Sequence, residues 1–507
     1  MFKIIKSIIK LAAQGVYQDP HIQKLINRYP RFFYFLKKRL TPDEKFGLSL
    51  TIGIIITLFF IYLFFGIIQD LFGQESLIEA DLRIINLVQI FRTSGFNKVM
   101  LFITYLGNWQ IIVIGIIAIG TVLILLKRWY YFFTVLVSVG IGELFVWVVK
   151  NLMDRPRPLL INALTPAPSY SFPSGHVFVA ISFYGLLIYF AIISVSSRLL
   201  KTLFVIFGAG LVLGVGWSRI YLGVHWSSDV LASMASGAAW LTGLITALEI
   251  RRKFKDIEPA APYLKKAKII LISLVLIVGW GLLLNYYFIT HPLKPAPVIA
   301  EETIKITEAD IPQKLFVNFP KTSENITGKA MEPINIIVIA SEAELDRAFR
   351  QAGWNKADPI TFKNGLKIIK SFFLKMPYPT EPGVPTFWDT MPNDFAYEKH
   401  TAKQTIKERE HIHFWKTPFV LNNQKRVWLA TAHFDKGIKL ISGIIIPNHV
   451  IDPAIDKERD RVKEDLINSG LVKLIQNFQI VEPTLGKNQG GDQFFTDGQA
   501  YLIFLKP

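Results

Sequence analysis

The sequence predicts an α-helical integral membrane bundle, a six-helix core plus a seventh span, joined to an extracytoplasmic α+β domain. Three observations carry that expectation. Long apolar runs are confined to residues 1–299, basic residues cluster between alternate runs, and residues 300–507 mix strand-like and helix-like patterning.

Composition agrees with it. Of 507 residues, 51% are hydrophobic, 13% aromatic and only 19% charged, with a mean hydropathy of +0.35. That mixture excludes a disordered polycation and argues against an ordinary soluble enzyme. The net charge of +17 points first towards nucleic acid, but its distribution does not. Residues 1–299 hold 29 basic and 13 acidic side chains, whereas 300–507 hold 27 and 26. The excess travels with the apolar runs, so the bilayer, and no nucleic acid, is the expected partner. The absence of cysteine excludes a disulfide framework, a thiolate nucleophile and any Cys-ligated metal.

A bilayer core takes roughly 20 mainly apolar residues per helix. Seven stretches qualify: 48–68, 106–126, 129–149, 176–193, 202–217, 229–248 and 269–287. The fifth is short and glycine-rich (Gly208, Gly210, Gly214, Gly216), which suits close helix packing. Lys and Arg populate the tail and alternate connections (Lys127 and Arg128; Arg198 and Lys201; Arg251 to Lys268). By the positive-inside rule these connections face the cytoplasm, and an odd number of spans places the C-terminal part outside. Within the tail, Phe2, Ile4, Ile5, Ile8, Ile9 and Leu11 interleave with Lys3, Lys6 and Lys10, as in a basic amphipathic helix on the inner membrane surface. The expected divisions are a cytoplasmic tail (1–46), a membrane core (47–250), a segment with a cytoplasmic loop, the seventh helix and a Pro-rich linker (251–299), and the extracytoplasmic domain (300–507). A multi-pass protein of a bacterial inner membrane is expected.

The chemistry gathers at span ends on the outer side. Between Ile22 and Thr290 the only histidines are His176 and His225. They stand within three clusters: Lys150-Asn-Leu-Met-Asp-Arg-Pro-Arg157-Pro158, then Pro173-Ser174-Gly175-His176, then Ser218-Arg219 followed by His225 and Asp229. Three cations, two imidazoles, a hydroxyl and a carboxylate suit phosphoryl transfer, whose transition state spreads negative charge over equatorial oxygens. Lys150, Arg157 and Arg219 can clamp those oxygens. Ser174 and Gly175 precede a helix, whose free N–H groups form an anion site. Asp229 lies four residues after His225 and can orient its ring, which makes His225 the candidate nucleophile and His176 the acid–base group. Fixed cations do the electrostatic work of a magnesium ion, so no metal and no cofactor are expected.

These clusters resemble the signature of the type 2 phosphatidic acid phosphatase superfamily: K-x6-R-P, P-S-G-H and S-R-x5-H-x3-D, matched at every position over about residues 45–250. Phe91 to Trp109, with Arg92, Thr93 and Gly107, also resembles that family's approach to its second span. The resemblance implies a six-helix phosphatase core, metal-independent dephosphorylation of membrane lipid phosphates and a phosphohistidine intermediate. It assigns phosphate binding to Lys150, Arg157, Ser174, Gly175 and Arg219. It assigns catalysis to His225, His176 and Asp229. A phosphotransferase passing phosphate to a lipid or glycan acceptor would carry the same motif, and a membrane-anchored binding module is the non-enzymatic alternative. Outside the motif, Glu143 reads as a bundle-facing carboxylate bonded to a neighbouring helix ahead of a catalytic role, and Arg155 as a solvated interfacial charge ahead of a contact with lipid head groups.

After the Pro-rich linker from His291 to Pro297, strand-like runs are expected at 334–339, 426–432, 440–446 and 500–505, and helices at 342–352, 366–374 and 456–467. This part resembles the LssY-type C-terminal domain through Ala352-Gly-Trp354, Pro377-Tyr-Pro-Thr380, His411-Ile-His413-Phe-Trp415, Val450-Ile-Asp452-Pro453 and Gly490-Gly-Asp492. That resemblance brings no activity with it; a cell-envelope partner is one role open to the domain. His411 and His413 would share a strand face. They join His433, Asp435, His449 and Asp452 as polar candidates; a metal site is conceivable, but no compact spacing demands one, and structural or hydrogen-bonding roles are the leading expectation.

Overall fold

A computed structural model describes residues 19–507 apart from 42–45, 74–75, 159–162, 256–265, 293–302, 312–313, 375–377, 401–407, 422–424, 441–446 and 489–490. The expected amphipathic tail at residues 2–11, most of the Pro-rich linker and the strand-like run at 441–446 lie outside the described residues.

Among the described residues five helices are long and apolar enough to cross a bilayer: Leu48–Phe72, Trp129–Met153, Gly175–Ser194, Arg198–Tyr221 and Ser227–Phe254. Each covers an expected stretch and overruns it, because capping and interfacial residues extend a helix past its apolar run. The second expected span is a bent pair, Ser94–Tyr105 and Trp109–Leu125, which meet at 50°. Thr93 starts the pair by accepting from Phe96 N–H at 3.2 Å, and Gly107 lies at the break. A Cβ on Gly107 would come within 3.0 Å of His176 Cβ, so glycine lets the break press against the site helix. A further helix, Lys266–Thr290, spans the seventh expected stretch.

Two of the fifth span's four glycines stand where a side chain would clash with a neighbouring helix. A Cβ on Gly208 would meet Ile188 at 1.8 Å and one on Gly216 would meet Met234 at 2.7 Å, while Gly210 faces open space. Helix-to-helix approach at those two points is the close packing that small residues permit.

Helix Ser76–Gln89, which the apolar runs did not announce, packs against the fifth and sixth spans and carries Asp81 and Arg83 buried. It also touches the C-terminal part. Arg83 Nη2 pairs with Glu324 Oε2 at 2.6 Å, and Asn86 Nδ2 donates to the Thr390 carbonyl at 3.1 Å.

The C-terminal part is sheet-rich α+β. Its main path runs Val472–Gln479, Gln499–Leu505, Ile336–Ala340, Arg426–Leu440, Arg409–Leu421, Phe395–His400 and Asn355–Lys356. Neighbours pair antiparallel except Gln499–Leu505, which runs parallel to Ile336–Ala340. The strand Ile336–Ala340 is buried along its whole length, as an unbroken apolar run in a central strand must be. One sheet face packs on helices Glu342–Gln351 and Ile455–Asn468 through Leu345, Phe349, Val462 and Leu466. A capping box starts the first of these: Glu344 N–H donates to Ser341 Oγ, and Ser341 N–H donates back to Glu344 Oε2.

Candidate active site

Six of the eight motif residues line one cavity of about 530 Å³: Lys150, Arg157, Gly175, His176, Arg219 and His225. They arrive from four directions. Lys150 sits in the last turn of Trp129–Met153, and Arg157 lies in the extended segment beyond it. Gly175 and His176 open the next span, Arg219 closes the fifth, and His225 lies in the short turn before the sixth. The remaining two, Ser174 and Asp229, are fully buried behind this lining.

His225 is held at both nitrogens. Its Nδ1 is 3.2 Å from Asp229 Oδ2, and its Nε2 is 3.2 Å from Arg157 Nη1. A carboxylate only accepts and a guanidinium only donates, so the proton sits on Nδ1 and the Nε2 lone pair accepts from Arg157 on the cavity wall. Burial, reinforced by Arg157, Arg219 and Lys150, holds the His225 imidazole well below its ordinary range, which keeps that lone pair available. Asp229 Oδ2 also accepts from Trp226 N–H at 3.0 Å, which fixes the carboxylate against the turn.

The cations are aimed by backbone carbonyls. Lys150 Nζ donates to the Tyr170 carbonyl, while Arg157 donates to the carbonyls of Ser169, Tyr170 and Val224. Burial lowers the Arg157 guanidinium to about 10, which leaves it charged at neutral pH. Arg219 Nη1 donates to Thr104 Oγ1 at 2.8 Å. Arg219 Nε and the Ser174 hydroxyl are buried without a hydrogen-bond partner among the described residues. Buried donors without partners are rare in proteins, and here both stand at the proposed anion site.

His176 meets a residue that the motifs did not mark. Its Nε2 lies 2.5 Å from Asn108 Oδ1, and Asn108 Nδ2 donates to the Tyr287 hydroxyl at 3.1 Å. An amide oxygen only accepts, so this contact places a proton on Nε2, where a general acid needs it. Asn108 lies at the break between Ser94–Tyr105 and Trp109–Leu125, and Tyr287 brings the seventh helix to the cavity wall.

Two readings from sequence are corrected. Arg155 is not a solvated charge: Nη1 binds Asp229 Oδ1 at 2.7 Å and Nη2 binds Asp81 Oδ2 at 2.8 Å. Asp81 in turn accepts from Ser228 N–H at 2.9 Å and from both the Ser227 and Ser228 hydroxyls. This buried relay stands directly behind the carboxylate that orients His225. Glu143, read as bonded to a neighbouring helix, instead lines the cavity beside Lys150. For Asp81 the only hint in the sequence is an acidic residue in a half-apolar helix; Asn108 lies in the stretch Phe91 to Trp109 that resembles the family, but the resemblance does not single it out.

A family profile described as the PAP2 superfamily matches residues 127–253, and one described as the LssY C-terminus matches 316–500. The chain is 32% identical over 179 residues to phosphatidylglycerophosphatase B of Bacillus subtilis (strain 168), covering 35% of this chain and 87% of that protein. It is 27% identical over 207 residues to an undecaprenyl-diphosphatase of Sulfolobus acidocaldarius, covering 40% of this chain and 94% of that one. Among solved structures it is similar to a transmembrane PAP2 type phosphatidylglycerolphosphate phosphatase from Bacillus subtilis, at 27% identity and a TM-score of 0.35, over 41% of this chain and 98% of that one. The chain is a multi-span membrane protein that belongs to the PAP2 superfamily. It carries an LssY-type C-terminal domain on the same polypeptide.

Proposed function

We propose that the protein is an integral membrane lipid phosphatase that hydrolyses phosphomonoesters or diphosphates of lipids through a phosphohistidine. The observation that carries this reading is the single cavity in which three cations face His225 Nε2, with Asp229 behind the ring. A phosphoryl group entering there meets Lys150, Arg157, Arg219, Ser174 and the N–H groups that open the helix at Gly175. His225 Nε2 attacks phosphorus; the P–N bond forms as the P–O bond to the lipid breaks. His176 Nε2 gives its proton to the leaving oxygen, then takes one from the water that cleaves the P–N bond and releases inorganic phosphate. The cations neutralise the oxygens throughout, so the step requires no divalent metal.

The names of the relatives, a phosphatidylglycerophosphatase and an undecaprenyl-diphosphatase, support a lipid-linked phosphate as substrate. Basic connections on the opposite side support a cytoplasmic N-terminus, seven spans, and a site and C-terminal domain outside an inner membrane. On this reading the tail ends near 46, the membrane core spans 47–250, and the last span and linker lead to a domain from 300 onwards.

The test is phosphate release from a panel of lipid phosphates by detergent-purified protein, with and without EDTA. Release that survives EDTA and vanishes in His225→Ala is the expected result. Undiminished release by that variant would overturn the nucleophile assignment. A reporter fused after Pro507 that is active only in the cytoplasm would overturn the orientation.

A further inference from the structure

Three imidazoles crowd one face of the C-terminal sheet, far along the chain from the phosphatase motifs. His411 and His413 alternate along Arg409–Leu421 and leave the same side of the strand. The antiparallel register sets His433 directly opposite His411. Ring centroids lie 4.2 Å apart for His411 and His413, and His433 is 5.5 and 5.7 Å from the two. One ring nitrogen from each residue lies within 4.8 Å of the others.

All three side chains are buried, yet His411 Nε2, His413 Nδ1 and His433 Nδ1 have no hydrogen-bond partner among the described residues. One orphaned buried nitrogen is uncommon; three on adjoining rings need a cause. Stacked neutral rings cannot satisfy one another, and three adjacent imidazolium ions would repel. A shared cation satisfies all three lone pairs together.

The surroundings are built for that cation. The Asp435 carboxylate lies 3.6 Å from His411 Nδ1 and 3.6 Å from His433 Nε2, the nitrogens opposite the orphaned ones. A carboxylate behind a ligating histidine fixes its tautomer and raises its basicity. Asp435 is itself steadied by Arg409 Nε at 3.2 Å. Gly383 lies over the pair: a Cβ there would sit 2.8 Å from His411 Nε2 and 2.4 Å from its Cε1. Glycine therefore leaves room where a ligand to Nε2 would stand. Beyond the rings is a cavity of about 50 Å³ with Glu332 and Asn488 on its wall, enough for an ion and a water.

We propose that His411, His413 and His433 bind one divalent transition-metal ion of the zinc type, with Asp435 orienting two rings and a fourth coordination position open to the cavity. Imidazole nitrogen suits zinc and its neighbours and disfavours calcium or magnesium. Zn–N bonds of about 2.0–2.1 Å bring tetrahedral nitrogens to roughly 3.3 Å, so the rings close on the ion by modest rotation. The site is separate from the phosphatase cavity and does not rest on the function proposed for it.

The experiment uses the full-length protein in detergent, stripped by chelator and dialysed against Zn²⁺ or, in parallel, Co²⁺. One equivalent of zinc by elemental analysis and the visible absorption of tetrahedral cobalt are expected. His413→Ala and His433→Gln should weaken binding at least about 100-fold, and Asp435→Asn about 10- to 100-fold. Gly383→Ala should displace His411 and also lower affinity, and His225→Ala should leave the stoichiometry unchanged. Circular dichroism identifies any histidine variant that fails to fold, in which case Asp435→Asn and Gly383→Ala decide. Folded wild-type protein that retains no zinc, or variants that retain it with unchanged affinity, would overturn the proposal.

Discussion

Two groups of histidines stand out among the described residues, and their neighbours set them on opposite courses. In the membrane bundle His225 and His176 share a cavity with Lys150, Arg157 and Arg219. In the C-terminal sheet His411, His413 and His433 lie beside Asp435, with Glu332 on the same cavity wall. On the two proposals the same imidazole faces an anion site in one region and a cation site in the other. In the bundle Asp229 is placed behind the ring to orient it, Glu143 stands on the cavity wall beside Lys150, and the cations in front are proposed to select phosphate. In the sheet burial pushes His411 down to about 3 and His413 also well below the ordinary range, so both are neutral. Burial neutralises imidazole in both places; the sign of the neighbouring charge then decides what the lone pair meets.

The largest effect that can break this comparison is removal of the nucleophile. His225→Ala should reduce phosphate release by about 10⁴-fold or more, measured as kcat on a lipid phosphate. A loss below tenfold would mean that the ring does not form the covalent bond. Next comes the cation field. Arg219→Gln should lower kcat by about 10²- to 10³-fold, the scale for losing one preorganised donor to a developing oxyanion. A change confined to KM would instead make Arg219 a binding residue alone.

Smaller still is the relay behind Asp229. Asp81→Asn should cost about 10- to 100-fold in kcat with little change in KM, because it loosens Arg155 and Ser228 without touching phosphate. Equal losses in kcat and in folded protein would reduce Asp81 to a structural role.

The smallest effect concerns stability of the C-terminal domain. Burial, with Glu410 nearby, pushes the Glu458 carboxyl up to about 9, against an ordinary value of 4.5. Across the window between those values the folded state keeps a proton that the unfolded chain has released. Stability is therefore full below the ordinary value and falls as pH rises towards 9. Glu458→Gln should raise the melting temperature by a few degrees at alkaline pH, on a scale of ~2–4 °C per kcal/mol, and change it little in acid. Hydrogen exchange in helix Ile455–Asn468 of the intact protein measures it; an equal gain at both pH values would count against a buried protonated carboxyl.

Legibility in the sequence followed the distance over which each feature is determined. The spans were readable because hydropathy is local, and their ends were not, because caps and bends depend on single residues such as Thr93 and Gly107. Lys150, Arg157, Ser174, Gly175, His176, Arg219, His225 and Asp229 stood out because each belongs to a short contiguous pattern. Arg155 sat inside one of those patterns and was still misread, since its partners Asp81 and Asp229 each lie 74 residues away. Asn108 was missed for a similar reason: its partner His176 is 68 residues on. In the C-terminal part His411 and His413 were paired by strand alternation alone. His433 joined them only through the register between two strands. Asp452, also a polar candidate, proves to be spent on a turn, accepting from Ala454 N–H at 2.9 Å.

By itself the sequence determined where the membrane lies, where the excess charge sits and which residues carry the phosphatase pattern, because these depend on composition and spacing within a few turns of chain. Tertiary structure alone decided which polar groups meet. It set Asp81 behind Asp229, Asn108 against His176 and His433 across from His411, because contacts between distant residues are fixed by helix packing and strand register, neither of which is written in any local stretch.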